Sequence, residues 1–217
     1  HRVEAEISGG AGPGISVAVG HRDRVVWAQG FGFADLESGR PVDADTLFRV
    51  GSVSKTLTAC GLMRLWDRGE VDLDAPVRGY LPDFPKKRWP FTTRQLAGHL
   101  AGIRHYKGDE FRLNRAFKSA TEGLSIFEHD PLISEPGTQY TYSTYGWTLV
   151  SAVMEAAAGK EYLAIMKEDV FRPLGLDSTH PEWAEGKLPS KTSFYQMKDG
   201  DFAPAPEVDN SHKWAGG

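Results

Sequence analysis

Apolar and polar residues alternate through Ile15, Val17 and Val19, and again through Val25 and Trp27, on either side of the polar stretch "HRDR". A period of two with a polar break predicts a β-hairpin. From Ser52 to Gly69 the rhythm changes: Leu57, Cys60, Gly61, Met63, Leu65 and Trp66 recur at helical spacing and "DRG" supplies a stop, which predicts a helix with Ser52 at its start. A proline-rich loop, "DLDAPVRGYLPDFPKKRWP", leads to "TTRQLAGHLAG", where Thr92 or Thr93 caps a short helix expected to end at Gly102. The aromatic-studded stretch up to Asp130 shows no period. "PGTQYTYSTYGWTLVSAVMEAAAG" opens with a Pro-Gly turn and predicts a helix from Thr144 to Ala158. "KEYLAIMKEDVFRPLGL" reads as a further helix broken before Pro173. Beyond Ser178 the pattern dissolves, apart from a strand pair around "TSFYQMKDGDFAP".

The order is therefore an N-terminal hairpin (1–50), a helical region (51–180) and an irregular segment (181–217), read as one α+β domain. A two-stranded hairpin is marginal alone and needs further strands or helices over its apolar face. Few strong strands follow, so the chain is expected to be an incomplete part of a larger fold. "SGGAGPG" lacks the strand-to-helix setting of a phosphate loop and reads as a flexible lead-in.

With 40% hydrophobic and 25% charged residues the chain is of globular composition, and a net charge of −4 gives no electrostatic reason to expect nucleic acid or an anionic membrane as partner. No segment approaches the roughly 18 consecutive apolar residues of a membrane span. The seven His lack ligand spacing, so no metal and no cofactor are expected; His99 and His105 read as packing or capping residues. Asp72 and Asp74 read as turn residues rather than a catalytic carboxylate pair. Cys60 is the sole cysteine, and inside a helix it is expected to be a buried structural thiol.

The chemistry gathers at "GSVSK". Positions i and i+3 share a helix face, so Ser52 and Lys55 project together. A serine hydroxyl becomes a nucleophile when a base takes its proton, and a helix start supplies N–H groups that favour developing negative charge. The spacing alone also fits an N-capping serine followed by a solvated lysine. Tyr142 in "YTYSTYG", expected to be buried near the lysine, could share the proton relay.

"FRVGSVSKTLTA", "GEVDLDAPVRGYLPDF", "TTRQLAGHLAGI", "PGTQYTYSTYGWTLV" and "VDNSHKWAGG", in that order, resemble the serine β-lactamase and penicillin-binding-protein superfamily, in its class C-related branch of mitochondrial and bacterial β-lactamase-like proteins. The resemblance runs from about Pro13 to Gly217. It implies an antiparallel sheet flanked by helices with a helical subdomain, and a serine hydrolase working through an acyl-enzyme on amide or ester bonds of small molecules or peptides. Ser52 would be the nucleophile, Lys55 its proton acceptor or relay, and Tyr142 the tyrosine of the family's Y-x-N motif. Thr144 stands at the asparagine position and cannot offer both an amide donor and a carbonyl acceptor, so weak or no β-lactamase activity is expected. Thr144, Ala215 and Gly216 would line the substrate. The family's third motif, Lys or His with Gly two positions on, is absent: "SKTSF" and "HKWAGG" do not supply it. A fragment without it is expected to be inactive. The resemblance also implies a periplasmic, secreted or mitochondrial setting and allows homo-oligomers. A structural, self-assembling protein with an idle serine is the alternative reading.

Overall fold

The computed structural model describes residues 12–184 and 188–217; the first part of the "SGGAGPG" lead-in lies outside the described residues. The described chain falls into two compact units, one of residues 12–49 and 188–206, the other of residues 50–184 and 207–217.

In the first unit, β1 (Gly14–His21) and β2 (Arg24–Asp35) form the expected antiparallel hairpin, Val19 opposite Trp27 and Ala18 opposite Ala28. The turn is Arg22-Asp23, both at positive φ (47° and 61°), the geometry whose twist matches the flanking strands. A short β3 (Arg40–Pro41) adds to β2. β4 (Tyr195–Lys198) and β5 (Asp201–Pro204) form the second hairpin, as the "TSFYQMKDGDFAP" pattern suggested. Alternation placed Val19, Val25 and Trp27 on a covered face. In the structure they are exposed, at 46%, 69% and 41%.

The second unit is built on α1 (Ser54–Asp67), α2 (Thr93–Ala97), α3 (Ala120–Gly123), α4 (Thr144–Ala158) and α5 (Tyr162–Met166). α4 has the bounds expected from the sequence, and every residue from Thr144 to Met154 is buried. A helix apolar on all sides must lie inside a core. Leu62 and Leu65 of α1, Leu96 of α2, Ile165 and Met166 of α5 and the loop residues Phe84, Phe91 and Phe127 pack into the same cluster. Burying a large apolar side chain is worth roughly 1.5–3 kcal/mol, so this core, not local propensity, holds α4 in place.

Several local expectations are corrected. α1 is preceded by a 3-10 turn, Gly51–Val53, which carries Ser52. Its buried face is Lys55, Thr58, Gly61, Leu62 and Leu65, so Met63 and Trp66 point outward and Cys60 is exposed rather than a buried thiol. α2 is capped by Thr92 with a reciprocal bond to Gln95, but it stops at Ala97, well before Gly102, because His99 turns to φ 60°. α5 continues into one π turn, Lys167–Phe171, ahead of Pro173. Asp72 and Asp74 are turn residues as expected: the Asp72 carboxylate accepts from Asp74 N–H, and Asp74 pairs with Arg94.

Candidate active site

Ser52 is exposed on its 3-10 turn, and one turn further on Lys55 is buried, 8% exposed. Its Nζ donates to Ser52 Oγ at 3.2 Å, to Thr144 Oγ1 at 3.4 Å and to the Gly216 carbonyl. These three acceptors match the three hydrogens of an ammonium group, which makes its burial affordable. The ammonium also lies 4.7 Å from the centre of the Tyr142 ring.

Tyr142 comes from the turn before α4, 90 residues away in sequence, and its hydroxyl donates to Ser52 Oγ at 2.7 Å. It is 37% exposed, not buried as expected. Burial pushes its phenol up, but hydrogen bonding to Lys55 and Ser52 and the Lys55 charge outweigh this, so its pKa lies below the ordinary tyrosine value. The serine oxygen thus accepts from both an ammonium and a phenol. Moving one proton off either partner reverses one of these bonds and lets Ser52 donate.

Thr144 is 1% exposed and turns its hydroxyl to Lys55, and Ala215, 2% exposed, uses its carbonyl to accept from Thr58 Oγ1 at 2.9 Å. Gly216 presents its carbonyl to Lys55. In this geometry the three residues expected to line substrate hold the lysine and its helix. Close approach explains the glycines: a Cβ on Gly216 would fall 2.8 Å from Thr144 Cγ2, and one on Gly217 would fall 2.0 Å from the Gly51 carbonyl carbon. Beneath the lysine, the Tyr162 hydroxyl meets Thr58 Oγ1 at 2.7 Å, a buried contact that ties α1 to α5.

The side chains that fix the start of α4 were not legible as such in the sequence. Ser143 caps the helix, accepting from Gly146 N–H at 2.9 Å and donating to the Arg104 carbonyl at 2.7 Å. The Arg104 guanidinium, 7% exposed, binds both Glu110 oxygens (2.6 and 2.9 Å) and Asp130, which anchors that carbonyl. His99 Nδ1 accepts from Ser143 N–H at 3.1 Å and His105 Nδ1 from Thr144 N–H at 3.2 Å. Packing or capping was the expected role of these histidines, and the helix they cap is α4 rather than the one beside them in sequence. No group of side chains able to hold a metal ion occurs among the described residues.

The Beta-lactamase family model matches residues 2–217. The mitochondrial serine beta-lactamase-like protein LACTB of Homo sapiens is 32% identical over 287 aligned residues, covering 100% of this chain and 52% of its own length. Esterase EstB of Burkholderia gladioli is 32% identical, covering 89% of this chain and 55% of its own. Among solved structures, the D-amino acid amidase from Ochrobactrum anthropi superposes with a TM-score of 0.83 at 25% identity, over 98% of this chain and 62% of the amidase. The chain spans about half the length of the curated relatives it matches. With the family model matched over all but its first residue, this chain belongs to the Beta-lactamase family.

Proposed function

We propose that this chain carries the nucleophilic half of a serine hydrolase that cleaves ester or amide bonds through an acyl-enzyme. The observation that carries the reading is the convergence of Lys55 Nζ and the Tyr142 hydroxyl on one oxygen, Ser52 Oγ, at 3.2 and 2.7 Å. Names among the relatives, an esterase and a D-aminopeptidase, support the reaction class without choosing the substrate.

The depressed phenol pKa suits Tyr142 to act as proton acceptor, with Lys55 as the fixed cation that stabilises its phenolate. Ser52 Oγ attacks the carbonyl carbon as its proton passes to the Tyr142 oxygen. The tetrahedral oxyanion forms beside the uncapped 3-10 turn. On collapse the C–N or C–O bond breaks, the leaving group takes the proton from Tyr142, and Ser52 is left acylated. Water then repeats the sequence: its proton goes to Tyr142, the acyl ester breaks, and Ser52 recovers its proton. Thr144 has one hydroxyl, already engaged with Lys55, where the family motif has an amide. Simple esters and amides that need no such amide contact are therefore better substrates than β-lactams.

The test is the intact mass of the full-length protein after exposure to a fluorophosphonate, with peptide mapping. A single adduct on Ser52, lost in Ser52→Ala, is the expected result. A well-folded protein that takes no adduct overturns the reading.

A further inference from the structure

We propose that His99 and His105 are positioning residues, a neutral imidazole clip that holds Tyr142 over Ser52; the inference rests on the hydrolase reading for its kinetic consequence but not for its geometry.

Tyr142 is gripped through the backbone on both sides. The residue before it, Thr141, donates its N–H to the His99 carbonyl at 2.9 Å, and the residue after it, Ser143, donates to His99 Nδ1 at 3.1 Å. One residue thus supplies both acceptors that bracket the tyrosine. It does so from a left-handed backbone (φ 60°), a conformation uncommon for residues other than glycine. His105 extends the clip to Thr144 N–H. The two rings also enclose the phenol: the His99 ring centre lies 4.5 Å from that of Tyr142 at a tilt of 34°, and the His105 ring stands edge-on at 5.6 Å and 89°.

Chemistry limits how the clip works. A nitrogen that accepts from an N–H cannot itself carry a proton, so each imidazole must be neutral with its hydrogen on Nε2. Burial, reinforced by the Lys55 charge, favours that neutral form in both rings. An acidic cap such as Asp would serve the same amides, but it would set a second anion beside a phenol that must itself become negative. A neutral aromatic cap avoids that repulsion.

Three measurements on the intact protein test the clip. Long-range proton–nitrogen NMR reads the tautomers, and the expected result is a bare Nδ1 and a protonated Nε2 at both histidines. Titration of the Tyr142 phenol, assigned by its loss in Tyr142→Phe, reads positioning without any turnover. The rate of fluorophosphonate adduct formation reads the consequence. His99→Leu and His105→Leu keep bulk but remove the acceptor; the phenol pKa should rise toward the ordinary tyrosine value and the adduct rate fall about tenfold or more. In His99→Asn and His105→Asn the side-chain oxygen replaces Nδ1, and Asn tolerates the left-handed backbone, so both readouts should return most of the way. Leu variants that stay folded with titration and rate unchanged would overturn the clip, as would protonated Nδ1 atoms. If the Leu variants do not fold, Asn variants that fold but lose the depressed phenol pKa overturn it. A wild-type protein that takes no adduct sinks the hydrolase reading, while tautomers and phenol titration still decide the clip.

Discussion

Two helices begin at this site, and they begin differently. α1 and the 3-10 turn before it start with no side-chain cap, beside an exposed serine. The start of α4 is closed by three side chains: His99, His105 and Ser143 take N–H groups at its first turn. An open helix start offers its partial positive charge to whatever enters, whereas a closed one offers rigidity. Under the proposed mechanism the open start would face the incoming carbonyl and the closed start would fix the group that moves the proton.

The largest effect comes from breaking the open side. Ser52→Ala should abolish adduct formation and turnover, while the unfolding free energy falls by only about 1 kcal/mol, the loss of one of the three acceptors of the Lys55 ammonium. Mass spectrometry and a urea titration on one sample check both halves of the statement. On the closed side, Tyr142→Phe keeps the ring packing but removes the hydroxyl, and adduct formation should slow by about 10²–10⁴-fold. A stopped assay of adduct against time measures it, and a change of less than threefold would assign the proton transfer to Lys55 alone.

Acid should also attack the closed side first. His212 packs against α3 at Gly123, is 1% exposed with neither ring nitrogen hydrogen-bonded, and its carbonyl accepts from Thr148 of α4 at 2.9 Å. Burial lowers its pKa to about 4. The unfolded chain therefore binds the proton more readily, so the stabilisation is fully present above about pH 6.5 and is lost as pH falls toward 4, a change on the order of 3 kcal/mol. His99 and His105 act in the same direction, since their folded pKa values are lowered too; the titratable or charged groups facing them are Lys55, Tyr140, Tyr142, Tyr106 and each other. Urea midpoints across that range, with His212→Leu as control, should show a slope in the wild type that flattens in the variant. The smallest expected effect is Ser143→Ala, which removes one cap and should cost about 1 kcal/mol, readable as a shift in urea midpoint with Ser52 labelling largely retained.

The candidate catalytic residues were the most legible in the sequence. Ser52, Lys55 and Tyr142 fall together as their motifs implied, because the serine and lysine share one helical turn and the tyrosine introduces a helix whose bounds the periodicity alone placed at Thr144 and Ala158. What the pattern could not show was non-local. Cys60 and Trp66 sit at helical spacing with apolar neighbours, yet the core chose the Thr58, Gly61, Leu62 and Leu65 face. α2 ends at Ala97 because His99 must turn to reach Ser143, a residue 44 positions away. Arg104 carries no sequence signal of its role, and only the fold brings Glu110 and Asp130 onto it.

The hydrogen bond from Lys55 to the Gly216 carbonyl spans 161 residues of chain. On a ribosome adding about 5–20 residues per second, the lysine leaves the exit tunnel roughly 8–30 s before its acceptor does. Until then α1 carries an ammonium with one fewer acceptor to take it into the interior. The lysine proposed to serve Ser52 therefore gains its full set of acceptors only after a segment 161 residues further along the chain has been made.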